Sequence, residues 1–541
     1  MSRRRVAVPL LASLAVAGAV AGTTSSNAAS PTTCPAPPAL SFAEPKYVDM
    51  GRAGGEPIVF TYPDGTLLYG AHAGSTHFYT PAAGDPDTGA FAENYQGQTY
   101  YWFSDTDGGE WAYVNRTLPP DNAPLTGFSD PEFAYDLAGN VYVSEINLVN
   151  VALSKSTDGG RSYVLQNPTT NIFTDRQWTE GDEEDVVYLV SNPTGPGGTY
   201  APGQVGYQPN SGHTMYKSVD GGKTWTNGFP DPGGLGDIRV DKRNGTVYEA
   251  HLNGSELSIA AFRDARNEDF TTKVDPEMNV VDDDVHMIAH WPAFDLDPSG
   301  NLYITWDENG NGDREAGIYY SYSKDAGKTW AKPIRVDADE KTSIWPWLGV
   351  GDDGRVGIAW LEADVELPGN DAETAGTHGW RIVGATSITG LGCAGGKAPS
   401  FSRAVMTPEA IHQGTICQGG TTCQATATDR RLGDYFSVDV DNDGMLYAGY
   451  SDTRQGGAVS LPAFVRQSGG APLVVQRPGG NTGGGNTGGG NGGGNTGGNG
   501  GTRGPGTTPA TGLPVTLPAL AAAAAVGAVL VARRRRRAES A

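Results

Sequence analysis

The chain has 541 residues, of which 78 are glycine and 36 are proline, and its formal net charge is −23. This composition, with almost no helical periodicity, excludes a helical protein and favours many short strands joined by turns. The charge excludes a nucleic-acid partner, because neutralising phosphates requires Lys and Arg. Without the two terminal segments, 30 basic and 60 acidic residues remain, which suits an extracellular domain or one that attracts cations.

Residues 1–29 are predicted to be a secretion signal. Arg3, Arg4 and Arg5 precede an apolar stretch at residues 6–20, and small residues near Ala28 supply a cleavage site. A membrane helix is the alternative, but the stretch is short and is broken by Pro9. We therefore expect the rest of the chain to be exported.

Export permits disulfides. The four cysteines are Cys34, Cys393, Cys417 and Cys423. They allow three pairings, among which the sequence cannot choose. A bridge from Cys34 to one of the other three is favoured, because it would hold the two ends of the folded region together.

One pattern repeats from about Glu56 to Tyr450: an alternating strand, a tight turn, and a second strand rich in aromatic or β-branched residues. The clearest copy runs from Trp291 to Trp306. The predicted turns lie at Gly65, Gly139, Asp185, Gly245, Gly300, Gly354 and Gly444. A hairpin plus a second strand pair in each repeat is typical of a propeller blade. The sequence predicts an all-β fold, a seven-bladed β-propeller over residues 30–467, with six blades as the alternative.

A second motif, Ser-x-Asp-x-Gly-x-Ser/Thr followed by an aromatic residue, surrounds Asp158, Asp220 and Asp325, and a blurred copy lies near Asp107. Such an Asp accepts N–H groups of its own loop, while Gly takes a positive φ. The motif resembles the Asp box, or BNR repeat, of the sialidase superfamily. The resemblance implies a glycan-acting propeller, and structural aspartates at turns between third and fourth strands, away from the active face.

Candidate site residues collect at the other face. Because strands alternate in direction, the starts of first strands lie opposite the hairpin turns and should line one channel mouth. The candidate catalytic residues are Asp130, Asp175, Arg176, Asp237, Arg239, Asp434, Tyr435 and Arg454. The candidate substrate-binding residues are His290, Trp291 and Trp345.

The sialidase resemblance implies a role for several of these residues. Three arginines (Arg176, Arg239 and Arg454) would clamp a carboxylate, Tyr435 or Tyr450 would be the nucleophile, and Asp130 or Asp175 the acid/base. The sequence departs from the family in the first blade, where Glu56-Pro57-Ile58 replaces the Arg-Ile-Pro motif. An acidic mouth also repels an anionic sugar. Another glycosidase or lyase activity, and a non-catalytic carbohydrate- or protein-binding adhesion role, remain as alternatives.

One loop has the spacing of a calcium site. Asp307, Asn309, Asn311 and Asp313 place oxygen side chains at alternate positions, although Ile318 stands where a bidentate Glu is expected. A plain polar loop is the alternative. No motif requires another cofactor, since zinc spacings, phosphate loops and serine nucleophile elbows do not occur.

The C-terminal part is predicted to be a tether followed by a targeting signal. Residues 468–507 are mainly Gly, Asn, Thr and Pro, which predicts a disordered linker. An apolar span and Arg533 to Arg537 follow the pentapeptide Thr508-Pro-Ala-Thr511-Gly512. Residues 508–541 fit a membrane helix with cytoplasmic arginines. They also resemble a Gram-positive sortase signal with Thr508 in place of Leu, which implies cleavage between Thr511 and Gly512.

Both interpretations of the C-terminal part predict surface display, anchored to the cell wall or the membrane. The expected partners are an extracellular glycan or glycoprotein and, through a sortase, the cell wall. The sequence gives no indication of the oligomeric state.

Overall fold

The computed structural model describes residues 33–72, 99–114, 129–146, 151–166, 174–193, 214–226, 229–230, 236–268, 276–287, 291–337, 341–419, 423, 428–455, 457 and 459–475. The predicted secretion signal, the sorting signal with Thr511 and Gly512, and His290 lie outside these residues. No helix within these ranges is long and apolar enough to cross a bilayer.

The strands form seven antiparallel sheets. Two short strands come first: β1 (Ser41–Phe42) and β2 (Lys46–Tyr47). Blade 1 contains β3 (Gly55–Thr61), β4 (Leu67–His72), β5 (Thr99–Ser104) and β6 (Ala112–Tyr113). Blade 2 contains β7 (Ser129–Tyr135), β8 (Val141–Ile146), β9 (Val151–Ser156) and β10 (Val164–Leu165). Blade 3 contains β11 (Thr174–Gly181), β12 (Val187–Pro193), β13 (Thr214–Ser218) and β14 (Phe229–Pro230).

The next three blades repeat this order. Blade 4 contains β15 (Ile238–Asp241), β16 (Thr246–Asn253), β17 (Glu256–Phe262) and β18 (Glu277–Asp282). Blade 5 contains β19 (Ala293–Leu296), β20 (Leu302–Glu308), β21 (Gly317–Ser323) and β22 (Ile334–Arg335). Blade 6 contains β23 (Ser343–Val350), β24 (Val356–Ala363), a 3₁₀ turn (Pro368–Asn370), β25 (Gly379–Ser387), β26 (Ser402–Val405) and β27 (His412–Gln413).

Blade 7 is built from both ends of the described chain. It contains β28 (Ser437–Val440), β29 (Leu446–Asp452) and β30 (Leu461–Gly469), and both β1 and β2 pair with β30. First strands contact one another in order around the ring, and β28 contacts β3. The propeller is therefore closed and has seven blades, which confirms the predicted fold class and removes the six-bladed alternative.

Two disulfides fix the ends of this arrangement. Cys34 is bonded to Cys393, with the two Cα atoms 5.9 Å apart, and Cys417 is bonded to Cys423. The first links the N-terminal segment to blade 6, so the favoured bridge from Cys34 is confirmed. Disulfides indicate an oxidising, extracytoplasmic compartment.

The hairpin turns between first and second strands form one face of the ring, which we call the turn face. All seven predicted turn residues have positive φ, from 64° at Asp185 to 98° at Gly65. Asp297 shows how the turn is held: Oδ1 accepts the N–H groups of Ser299 and Asn301, both at 3.0 Å, and Oδ2 accepts the Tyr303 hydroxyl. Asp136 makes the same set of bonds in blade 2. The repeated pattern is therefore a self-contained turn.

The turns that contain Asp158, Asp220 and Asp325 join third and fourth strands. Asp325 accepts the Ser323 hydroxyl at 2.8 Å, the Thr329 N–H at 2.9 Å and the Thr329 hydroxyl at 2.6 Å. Asp158 and Asp220 accept hydrogen bonds from the equivalent positions. Arg161, in the first of these turns, reaches Thr66 Oγ1 of the blade 1 hairpin at 3.1 Å. This contact places both kinds of turn on the turn face.

The chain also leaves the propeller on this face. Beyond β30, Leu473 is fully buried, its N–H donates to Gly444 O at 2.6 Å, and its carbonyl accepts Asp352 N–H at 2.8 Å. Gly444 belongs to the hairpin turn of blade 7. The packed part of the chain therefore extends a few residues beyond the predicted boundary at 467.

Candidate active site

The opposite face, which we call the mouth, begins with four unusual backbone positions. Glu56, Asp130, Arg176 and Trp345 have φ of 45°, 52°, 52° and 57°. Each lies at a shift of register near the start of a first strand. Left-handed backbone costs a residue with a Cβ about 1–3 kcal/mol, and bulges re-aim side chains near functional sites. These four blades present a strained residue at the same level of the ring.

Partners from neighbouring blades stabilise these bulges. Gln177 Nε2 donates to the Asp130 carbonyl, and the Ser437 hydroxyl donates to Pro57 O at 3.0 Å. Trp345 N–H donates to Asp307 Oδ2 at 3.2 Å. Hydrogen bonds from the adjacent blades thus hold the strained backbone in place.

Glu56, His72 and Asp130 form a compact cluster, with one polar atom of each within 4.8 Å of the others. His72 Nε2 and Glu56 Oε2 are 2.5 Å apart. Asp130 is hydrogen-bonded to Glu56 and accepts the Ser129 hydroxyl at 2.5 Å. Glu56 and His72 are buried, whereas Asp130 is half-buried. Asp130 is therefore the residue of the cluster that is partly accessible to solvent.

Arg430 completes this cluster from residues 406–433, the insertion between β26 and the start of blade 7. It is buried, and its guanidinium contacts Glu56 Oε1 at 3.4 Å and Asp434 Oδ1. Glu56 Oε1 also accepts the Asp434 N–H at 2.8 Å. At Gly433, with φ of 74°, a Cβ would lie 2.2 Å from Glu56 Cγ. Only glycine therefore lets the insertion approach Glu56 so closely.

The electrostatics of the cluster favour a protonated Asp130. Burial, followed by the charge of Glu56 and the hydrogen bond to it, raises the pKa of Asp130 to about 8. Burial lowers the pKa of His72 to about 4, which the Asp130 and Asp434 charges oppose and Arg430 reinforces. Near neutral pH, a neutral Asp130 donates to Glu56 beside a neutral imidazole.

The same three side chains are the described group best suited to hold a metal ion. However, the 2.5 Å between His72 Nε2 and Glu56 Oε2 is a hydrogen-bond distance. Two atoms bound to one ion at 2.0–2.5 Å normally lie farther apart. We interpret the cluster as a hydrogen-bonded acid pair with its histidine.

An aromatic plug fills the ring beside this cluster. It consists of Trp178, Trp291, Trp347 and Tyr435, whose rings lie 5.0–6.2 Å apart. All four are buried, and so is Trp345. Trp291 and Trp345 therefore expose no ring face on which a sugar could stack, which removes support for their predicted substrate-binding role.

Tyr435 does not have the surroundings of a nucleophile. Its hydroxyl donates to Pro131 O at 3.4 Å. Burial and the charges of Asp130 and Glu56 raise the pKa of Tyr435 well above its usual range. A phenol activated for attack needs a lowered pKa or a base at its hydroxyl.

The three arginines proposed as a clamp have separate surroundings. Arg176 lies over the Trp291 ring, 5.1 Å from its centroid. Arg239 binds Asp237 at 2.7 Å, and Arg454 binds Asp452 at 2.6 Å and also Glu409. Arg239 and Arg454 thus neutralise different acids in different blades and do not form one clamp.

A layer of charges surrounds Arg239 in the ring. Asp295 Oδ1 lies 3.7 Å from Arg239 Nε, and Lys242 binds Glu180 at 3.0 Å. Burial raises the pKa of Asp237 to about 7 and of Asp295 to about 6, although Arg239 opposes both shifts. Asp237 thus belongs to this buried layer. Asp175 pairs with Asn192 through the backbone of β11 and β12, and its side chain is not among the described groups.

In the structure, the side chains of the loop predicted to bind calcium differ in their exposure to solvent. Asp307 is fully buried against the Trp345 N–H, while Asn311 and Asp313 are exposed. Asn309 Oδ1 accepts the Asn311 N–H at 2.9 Å. The calcium site stays a prediction without support from this geometry.

Glu56 begins a first strand and His72 ends the second strand of the same blade, so strand direction predicts both at the mouth without a role for either. Arg430 was missed. Glu56-Pro57 and Asp130-Pro131 share an acid–proline pattern at equivalent first-strand positions, which was an available signal. Arg430 lies outside the repeat and left no such signal.

No family model and no curated protein sequence matches the chain. Among solved structures, a protein of unknown function from Dyadobacter fermentans aligns over 80% of this chain and 99% of its own, at 14% identity and TM-score 0.40. The NanB sialidase from Streptococcus pneumoniae aligns over 79% and 70%, at 12% identity and TM-score 0.36. The α-L-arabinofuranosidase Arb93A from Fusarium graminearum aligns over 80% and 98%, at 12% and 0.36. The class defined here is a seven-bladed β-propeller, and alignments this weak assign it to no family.

Proposed function

We propose that this protein is an extracellular glycoside hydrolase of the propeller type, in which the Asp130 carboxyl is the general acid at the mouth. The observation that carries the proposal is the half-buried Asp130, hydrogen-bonded to a buried Glu56 that His72 and Arg430 also contact. A glycosidic oxygen must be protonated as its bond breaks, and a carboxylic acid that is still protonated near neutral pH can do this.

The surrounding groups give Asp130 the properties of an acid. Its pKa of about 8 keeps the proton in place at the pH of most extracellular fluids, and burial is the first cause of that value. Glu56 accepts the proton in a hydrogen bond, while Arg430 balances the charge of Glu56. Pairs of carboxyl groups whose surroundings separate their pKa values are typical of acid–base assignments in hydrolases.

Asp434 is the second acid that can serve this chemistry. Its side chain is 21% exposed, and Arg430 binds it directly. An ionised carboxylate beside a cation suits the role of nucleophile, or of the base that activates water. In this proposal Asp130 protonates the leaving oxygen and Asp434 acts on the anomeric carbon or on water.

The substrate in this proposal is a neutral glycan rather than a sialoside. Glu56 stands where a carboxylate clamp would begin, and Tyr435 is buried with a raised pKa. Cell-wall or membrane anchorage through residues 508–541 belongs to the proposal as well, since only the sequence supports it.

The test is a hydrolysis screen of the exported chain against neutral and sialylated glycans. We expect a neutral substrate to be cleaved, and Asp130→Asn to lower kcat/KM by about 10²–10⁴-fold. Asn tolerates left-handed backbone, so this change removes the acid without adding strain. Asp364→Asn is the matched control, because Asp364 is an exposed carboxyl that follows β24.

Two outcomes oppose the proposal. Cleavage that survives in Asp130→Asn would show that another group is the acid. Tight binding of glycans without any turnover would instead support the adhesion alternative.

A further inference from the structure

The insertion between blades 6 and 7 reaches the mouth with one side chain, Arg430. This side chain is 4% exposed. Its Nη1 donates to Gly433 O at 2.9 Å, to Cys417 O at 3.2 Å and to Asp434 Oδ1, while Nη2 contacts Glu56 Oε1 at 3.4 Å. One guanidinium thus connects the insertion, blade 7 and blade 1.

The Cys417–Cys423 disulfide restrains the part of the insertion that adjoins Arg430. Cys417 N–H donates to Asp429 O at 2.7 Å, and Thr428 N–H donates to Cys423 O at 3.2 Å. The residues just before Arg430 are therefore bonded to both cysteines of a small covalent loop, in which six positions separate the cysteines. A planar, always charged guanidinium with fixed donors is well suited to transmit such a restraint to two carboxylates.

We infer that Arg430, held by the disulfide-closed loop, is a positioning residue that fixes Glu56 beside Asp130. This inference rests on the proposed function, because it concerns the same acid. Arg430 does not contact the Asp130 acid itself, although it binds Asp434, the second acid of the proposal. It sets the place and charge of Glu56, which in turn holds the Asp130 proton.

Among the described residues, the charged and titratable groups that face this cluster come from blades 1, 2 and 7 and from the insertion, and Glu132 of blade 2 also acts on Tyr435. Glu56 and His72 come from blade 1, Asp130 from blade 2, Arg430 from the insertion, and Asp434 with Tyr435 from the start of blade 7. Arg430 is the cation among them and lowers the pKa of His72. The His72 ring therefore reports on Arg430 without any substrate.

The experiment is a pH titration of the histidine rings in the full exported chain by ¹⁵N NMR, with His72→Asn used to assign the His72 signals. We expect His72 to titrate near pH 4 in the parent and about one pH unit higher in Arg430→Met, because a cation has left its surroundings. The double variant Cys417→Ala/Cys423→Ala should move His72 in the same direction by less. The shift in the double variant tests the loop rather than the charge.

Arg431→Met is the matched control. Arg431 adjoins Arg430 but binds Asp429, Thr453 O and Gly457 O, and it lowers the pKa of His412. The control should raise the His412 pKa and leave His72 unchanged. An unchanged His72 in folded Arg430→Met, or an equal shift of His72 in Arg431→Met, would overturn the inference. If Arg430→Met does not fold, an unchanged His72 in the double cysteine variant overturns it.

A substrate, once found, gives an independent check. Arg430→Met should lower kcat, because Glu56 is then no longer fixed beside Asp130 to hold its proton. KM should change less than kcat. If no glycan is cleaved, the proposed function fails while the NMR result still decides the role of Arg430.

Discussion

The two faces of the ring are built on opposite principles. On the turn face, a hairpin aspartate can be satisfied within its own loop: Asp297 accepts the N–H of Asn301, four residues away. At the mouth, Glu56 accepts the N–H of Asp434, 378 residues away. A short motif can encode the first arrangement wherever it occurs, whereas the second exists only after the ring has closed.

The same residue type acquires opposite acidity on the two faces. On the turn face, burial opposes the shift, but hydrogen bonds from Thr329 and Ser323 lower the pKa of Asp325. At the mouth, burial and the nearby Glu56 raise the pKa of Asp130 to about 8. Hydrogen-bond donors in its own loop keep a turn aspartate ionised. Two acids from different blades, brought close together, instead favour a protonated Asp130.

The largest expected effect on stability lies inside the mouth. Trp178→Ala should lower the free energy of unfolding by about 3–5 kcal/mol, because Trp178 packs against the other three rings of the aromatic plug. Chemical denaturation measures this loss. Trp330→Ala on the turn face is the control and should cost less, since Trp330 is only half-buried. Equal losses would mean that the plug is not a packed core.

A turn aspartate should have the next largest effect. Asp297→Ala removes the acceptor for two backbone N–H groups and the Tyr303 hydroxyl, and should cost about 3 kcal/mol. Urea denaturation tests this value. Asp353→Ala, the control, removes an exposed neighbour that accepts the Ser299 hydroxyl, and should have little effect. A loss below about 1 kcal/mol for Asp297→Ala would contradict the turn mechanism.

The exposed turns of the second motif should matter less. Asp325→Ala should cost about 1.5 kcal/mol, because the bonds to Ser323 and Thr329 are charge-assisted but solvent can replace them. Differential scanning calorimetry should detect the shift, and Asp325→Asn should restore part of it. Hydrolytic activity, if present, should stay at the parent level, since these turns lie opposite the mouth. A loss of activity in a fully folded Asp325→Ala protein would contradict the conclusion that the turn face takes no part in catalysis.

The last expected effect is of a different kind, a change in the pH dependence of stability. The pKa of Asp130 is raised from 3.8 to about 8 in the folded protein, so its contribution is fully present below pH 3.8 and is lost as pH rises through 8. Asp130→Asn has no carboxyl to ionise, so the variant does not lose this stability as the pH rises. The Tm difference between variant and parent should therefore grow in favour of the variant from pH 4 to pH 8. A constant difference across that range would show that Asp130 has an ordinary pKa.

The sequence predicts the turn face well because each turn is a local event. Gly300 and its six equivalents mark the seven turns, and blade number follows from counting them. The convergence of Glu56, Asp130 and Asp434 at one mouth also follows from strand direction alone.

Other features of the mouth depend on neighbours that the sequence does not specify. Trp291 is aromatic whether it is exposed or buried, and only the adjacent blades decide that it joins the plug. Arg454 lies two residues from Asp452 and is neutralised there, although strand position alone suggested the mouth. Arg430 comes from residues 406–433, which precede the last repeat, so no periodicity could locate it.

The path of the chain beyond β30 determines which way the molecule is presented. Leu473 packs beside Gly444, so the polypeptide departs from the side opposite the acid cluster. The part of the predicted 468–507 linker that follows residue 475 would span about 30 Å on average as a flexible coil. Anchorage at its far end would attach the propeller by its turn face, with Asp130 on the face opposite the point of attachment.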